Sequence, residues 1–203
     1  MPTREIDLGG RRFSFTLPET LEDPNYKSRD GGDEKPYWAF IWQSSLTMVQ
    51  VISEGPDLTG KRVIEIGCGL GLASLAAALK GATVTASDIR PEAIQLLKKN
   101  AADNNIPLEA RIVDIYEPPE DLGLFDGVIA ADVLYHDGML SGVLRFMRKH
   151  LKPDGLGALT DPYRIMPAGV LGAARLNGFD VQSFALGTGG TPVVLYSLTR
   201  RRR

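Results

Sequence analysis

The run Val63-Ile64-Glu65-Ile66-Gly67-Cys68-Gly69-Leu70-Gly71 constrains this chain more than any other segment. A short hydrophobic strand enters three alternating glycines, and an alanine- and leucine-rich helix is expected from Leu70 to Lys80, stopped by Gly81. Such a turn lets a ligand approach the backbone, and the helix amino end offers free N–H groups. The dinucleotide fingerprint G-x-G-x-x-G would need glycine at position 72, where this chain has Leu72. Taken alone, the run is also compatible with a turn that serves packing only.

The surrounding pattern supplies context. Strands are expected at Arg62–Ile66, Ala82–Ser87, Leu108–Val113, Phe125–Ala130 and Leu156–Thr160. Helices are expected at Pro91–Asn104, with proline in the first turn, and at Asp137–Leu151 and Ile165–Asn177. Alternation with short links predicts a parallel sheet covered by helices on both faces. Phe179–Leu186 and Val193–Thr199 follow with no helix between them, so they should close the sheet as an antiparallel hairpin across Gly187–Thr191. The expected fold is α/β, a doubly wound, Rossmann-like sheet of seven strands. Residues 1–35 read as an extension: a short β-hairpin turning at Gly9-Gly10, then a polar loop from Pro18 to Lys35. Residues 36–203 form the main domain.

Four successive strands each bring an acid to the carboxyl end or its approach: Glu65, Asp88, Asp114 and Asp132. In an open α/β sheet this edge binds ligands. Asp88 ends the second strand of this body, 21 residues past Gly67, where a carboxylate can accept hydrogen bonds from both hydroxyls of a ribose. Each acid alone could instead be a helix cap or a solvated loop carboxylate. Asp161-Pro162-Tyr163-Arg164 ends the fifth strand at the same edge and either lines a substrate mouth or turns the chain.

Charge and cysteine usage narrow the function classes. Without the four terminal arginines, 23 basic residues fall to 19 against 25 acidic ones. So acidic a body disfavours nucleic acid as a partner. One cysteine, Cys68, forbids an intrachain disulfide; its place in the turn suggests a small packing residue. His136 and His150 have no metal-ligand spacing, and no metal is expected. His136, at a helix start, reads as structural, and His150, near a helix end, can satisfy carbonyls. The uncharged stretch Pro36–Ser53 contains Gln43, Ser44, Ser45, Thr47 and Gln50, and reads as a buried segment, not a membrane span. A cytoplasmic location is expected, and a monomer is favoured.

The glycine run, Asp88, Asp114 and Ala131-Asp132-Val133-Leu134-Tyr135 together resemble class I, seven-β-strand methyltransferases dependent on S-adenosyl-L-methionine. With Pro36-Tyr37-Trp38-Ala39-Phe40-Ile41-Trp42 in front, Tyr37 to Arg164 resembles the family 16 protein-lysine methyltransferases, in particular the electron-transfer-flavoprotein β-subunit group. The sequence departs from that family after the second tryptophan, with Gln43-Ser44-Ser45 where proline and small residues are usual. The resemblance implies that Glu65, Gly67, Gly69 and Gly71 face the methionine part and ribose of the cofactor. It implies Asp88 on the ribose hydroxyls, Ile89 against the adenine, Asp114 on its amino group, and Trp42 and Ala131 beside the cofactor. Asp132 and Tyr135 would line the methyl-transfer mouth. The implied acceptor is a lysine of a protein, with a small molecule as the alternative. A nicotinamide-dependent oxidoreductase is disfavoured by Leu72 and the antiparallel hairpin; a cofactor-binding module without catalysis is a further alternative.

Overall fold

The computed structural model describes residues 3–8, 10–18, 36–136, 138–186 and 191–201. Gly9, the polar loop beyond Pro18, Asp137, most of the link from Gly187, and the last two arginines lie outside the described residues. The hairpin strands are β1 (Thr3–Asp7) and β2 (Arg12–Thr16). The main sheet contains β3 (Arg62–Ile66), β4 (Thr83–Asp88), β5 (Glu109–Ile112), β6 (Phe125–Ala131), β7 (Leu151–Asp161), β8 (Phe179–Leu186) and β9 (Val193–Arg200). Its order is β5-β4-β3-β6-β7-β9-β8. The first five are parallel, while β9 runs antiparallel to both β7 and β8, as the missing helix requires.

The helices are α1 (Gln43–Glu54), α2 (Leu72–Leu79), α3 (Pro91–Asp103), α4 (Met139–His150) and α5 (Pro167–Leu176). Side chains alternate across the central strands, so each face feeds its own core. Val63, Ile129 and Ala131 join the α1, α2 and α3 side. Ile64, Ile66, Val128 and Ala130 join the α4 and α5 side. Burial on both faces is why these strands read as continuous apolar runs. The hairpin shares the first of these cores through Ile6, Leu8, Phe13, Phe15 and Leu17. Asn100 and Asn104 on α3 fix it further. Asn100 accepts the Thr16 N–H at 2.8 Å and donates to its carbonyl at 3.2 Å, and Asn104 does the same for Ser14 at 3.2 and 2.9 Å.

Several boundaries differ from expectation, each for a local reason. Gly71, left-handed at φ 77°, precedes α2, so that helix starts at Leu72. Pro167 occupies the first turn of α5, where its missing N–H costs nothing, so the helix starts there and not at Ile165. Strand β7 extends back to Leu151, with a register irregularity opposite Phe125–Gly127. The Pro36–Ser53 stretch divides. Tyr37–Ala39 form one 3-10 turn, and α1 follows with Trp42 as its N-cap residue. Trp38 and Trp42 therefore sit on different elements and are not neighbours along one helix. Among the described residues no helix is long and apolar enough to cross a membrane.

Candidate functional site

Strand order reverses between β3 and β6, and a cavity of about 610 Å³ opens at the carboxyl ends there. The structure brings nine of the expected site residues to its wall: Trp42, Gly67, Gly69, Asp88, Ile89, Asp114, Ala131, Asp132 and Tyr135. Glu65 and Gly71 stand behind that wall.

Glu65 is 2% exposed and accepts the Ser74 backbone N–H at 2.8 Å and its hydroxyl. It ties β3 to the first turn of α2 and so shapes the turn from behind. Burial pushes its carboxyl up from 4.5 to about 7, against the two Ser74 hydrogen bonds, with the charge of Asp88 adding to the rise. Gly71 is glycine because a Cβ would lie 2.3 Å from Leu97 Cδ1 of α3. At Gly69 a Cβ would lie 2.6 Å from the Trp38 carbonyl oxygen, and φ is +50°. Its lack of a side chain thus lets the Tyr37–Ala39 turn close over the glycines.

Asp88 ends β4, 6% exposed. Its Oδ2 accepts the Gly69 N–H at 2.9 Å, and its Oδ1 accepts the Arg90 N–H at 2.9 Å. Burial raises its carboxyl above the ordinary range, while these backbone donors oppose the rise. Each oxygen keeps a lone pair for a hydroxyl. Next to it Ile89 is 56% exposed, an apolar surface open to the cavity. Val113 and Ile115 add apolar wall on either side of Asp114, whose Oδ1 accepts the Tyr116 N–H at 2.8 Å.

The other half of the cavity lies beyond β6 and β7. Asp132, 8% exposed, has left-handed backbone at φ 64°, and its N–H donates to the Thr160 carbonyl at 2.9 Å. It does not cap α4, whose N-cap residue is Gly138. Its carboxylate instead ion-pairs with Arg164, the last residue of the Asp161–Arg164 segment. The Arg164 guanidinium also lies over the Trp42 ring, with Cζ 5.9 Å from its centroid. Trp42 is steadied by its Nε1–H, which donates to the Tyr37 carbonyl at 3.0 Å, and by packing against Phe40 at 5.7 Å between ring centroids. Tyr135 is 55% exposed at the rim, its ring 4.8 Å from that of His136.

The sequence alone gives Arg164 no definite role and suggests a structural His136; both line the cavity. The available signal for Arg164 is its place at a strand end on the ligand edge. His150 is buried and bonds through Nδ1 to the Gly123 carbonyl at 2.9 Å, outside its own helix. Cys68 is buried in the turn, and burial holds its thiol well above the usual range, as suits a packing residue.

These features define the fold. The seven-stranded order with an antiparallel end and the glycine turn beneath a carboxyl-edge cavity are those of the class I, S-adenosylmethionine-dependent methyltransferase fold, and residues 63–155 match the family model of a methyltransferase domain. Particular relatives differ in acceptor. The chain is 30% identical over 165 residues to the electron transfer flavoprotein beta subunit lysine methyltransferase of Danio rerio, covering 80% of this chain and 61% of that protein. It is 30% identical over 125 residues to a ubiquinone biosynthesis O-methyltransferase of Xanthomonas oryzae, covering 61% of this chain and 51% of that protein. The chain thus spans about half to three fifths of the length of these curated relatives. Among solved structures, the Thermus thermophilus 16S rRNA N2 G1207 methyltransferase, in complex with AdoMet and guanosine, superposes with a TM-score of 0.76 at 17% identity. That match covers 98% of this chain and 50% of the other.

Proposed function

We propose that the chain transfers the methyl group of S-adenosyl-L-methionine to a lysine amine of a protein. The observation that carries the acceptor class is the cation seat at the mouth: the buried Asp132 carboxylate ion-pairs with the Arg164 guanidinium, which also lies over the Trp42 ring. A seat that takes one cation suits the ammonium of an incoming lysine. The lysine methyltransferase relative, matched over 80% of this chain, supports the same reading.

The residues fit the cofactor. The positive φ of Gly67 and Gly69 brings bare backbone to the cavity floor, and exposed Ile89 offers an apolar face to a flat ring. Asp88 would hold the ribose hydroxyls, Asp114 the adenine amino group, and Trp42 and Ala131 would pack beside the bound molecule. Glu65 and Gly71 would act on it indirectly, by holding the turn. When bound, S-adenosylmethionine supplies a methyl group already activated by a sulfonium.

What remains for the protein is alignment and exclusion of water. A lysine with pKa near 10.4 must first lose a proton, which costs about 4.6 kcal/mol at pH 7. Asp132 would orient the amine, and Tyr135 would shape the slot around its methylene stem. The sulfonium would supply its methyl group to the neutral nitrogen so held, the methyl–sulfur bonding pair staying with sulfur.

A small-molecule acceptor is the second reading, favoured by the O-methyltransferase relatives. The acidic balance of the chain supports either of these over nucleic acid. The test is tritiated-methyl transfer from labelled cofactor into a methylation-deficient lysate. Label recovered as methyl-lysine after protein hydrolysis is the expected result. Label confined to small molecules or nucleic acid, or no transfer at all, overturns the lysine assignment.

A further inference from the structure

A lysine acceptor poses an electrostatic problem. A carboxylate beside an ammonium favours the charged amine, whereas only the neutral amine attacks. The structure sets a second carboxylate and a cation at this point. Arg164 Nη1 pairs with Asp132 and also lies 3.8 Å from Asp161 Oδ1. Asp161 is 0% exposed. Its Oδ2 accepts the Arg164 backbone N–H at 2.7 Å, while its Oδ1, like that of Asp132, has the ion pair with Arg164 and no hydrogen-bond partner among the described residues. A buried carboxylate oxygen without a hydrogen bond is costly. Here it faces a guanidinium that is already committed to Asp132. The backbone around the pair is held in the left-handed region at Asp132 and at Tyr163, φ 61°, a strained conformation for tyrosine.

We propose that Arg164 is a positioning residue that controls the protonation of the acceptor amine. On arrival of the amine, the guanidinium moves its main contact from Asp132 to the waiting oxygen of Asp161. Asp132 is freed to orient the amine. The cation stays within a few ångströms and offsets the carboxylate, so the ammonium gives up its proton to solvent at the mouth before the N–C bond forms. The inference rests on the lysine reading above.

Other titratable groups near the pair are Tyr135 and His136 after β6, Tyr163 after β7, and Tyr196 on β9. Tyr196 is pushed up to about 12, chiefly by burial and further by Asp161 and Tyr163, so it stays neutral over the range of the test. Asp88, Arg90 and Asp114 line the cofactor half of the cavity, at the ends of β4 and β5.

The test uses the whole chain and, as acceptor, the most strongly labelled protein purified from the lysate. kcat is measured against pH for the natural protein, Arg164→Met, Arg164→Lys and Asp161→Asn, with cofactor affinity measured on each. In Arg164→Met the pH of half-maximal kcat should rise by about 1 to 2, lowering kcat at neutral pH roughly tenfold or more while the plateau at high pH is kept. Arg164→Lys, which keeps the charge, should return the midpoint toward its natural value. Asp161→Asn should raise KM for the acceptor more than it lowers kcat, because the guanidinium loses its second seat. Cofactor affinity should stay within about threefold throughout. An unchanged midpoint in Arg164→Met, or a loss of kcat equal at every pH, overturns the inference and leaves the lysine reading standing. A natural protein that labels no lysine overturns both.

Discussion

At the glycine-turn half of the cavity, carboxylates are held by backbone N–H groups and a hydroxyl; at the β6–β7 half, two carboxylates also share the charge of one side chain. Asp88 accepts two backbone N–H groups, and Glu65 accepts one backbone N–H and one hydroxyl. Asp132 and Asp161 share the guanidinium of Arg164. The first arrangement is fixed before any ligand arrives. The second contains a partner that can be exchanged for another cation. A cofactor common to many reactions suits a rigid backbone cradle, and an acceptor that must enter and leave suits an exchangeable ion pair.

The largest expected effect breaks the rigid half. Gly69→Val forces a side chain against the Trp38 carbonyl and into left-handed backbone. Overpacking and strain together should cost about 3–5 kcal/mol of stability. Cofactor binding should fall beyond detection in the part that folds. Denaturant unfolding and calorimetry check both, and a stable variant with normal cofactor affinity would show that the covering turn moves freely.

Glu65 sharpens the same half through pH. Its folded-state pKa is raised from 4.5 to about 7, so the fold favours the protonated carboxyl. Its contribution to stability is therefore full below about pH 4.5 and is lost as pH rises through about 7, roughly 3 kcal/mol in all. Glu65→Gln keeps an acceptor for Ser74 and removes the titration, so its stability should fall less over that window. Unfolding free energies at about pH 5 and pH 8 test this; equal falls in both proteins would refute it. Asp88, also raised by burial, should contribute a slope of the same sign that remains in the variant.

Asp88→Ala should weaken cofactor binding by about 1.5–3 kcal/mol, the scale of charge-assisted hydrogen bonds. Unchanged affinity by calorimetry in a folded variant would remove its role on the ribose.

The same contrast decides what the sequence reveals. Strands β3 and β6 are buried on both faces, so their apolar runs are legible; β4 shows through its β-branched Thr83–Thr85, and the missing helix before β9 announces the antiparallel end. The acids at strand ends follow from strand length alone. Gly67 and Gly69 mark the turn because their backbone conformation demands glycine. Local pattern does not distinguish Glu65, which braces the turn from behind, from Asp88, which reaches the cavity. Helix α1 is hidden because it carries few apolar residues in phase and begins without a side-chain cap. Arg164 is hidden because its partner Asp132 lies 32 residues earlier, joined only by the pairing of β6 with β7. Long-range ion pairs leave no periodicity.

The most direct measurement is made on Asp132→Asn, with cofactor affinity, thermal stability and single-turnover methylation determined on one preparation. The variant keeps the side chain's shape and removes the charge that holds the cation seat. The expected result is cofactor affinity within about threefold of the natural protein and turnover reduced roughly 100-fold or more. Full turnover with lowered stability would contradict the account, for Asp132 would then serve the fold alone.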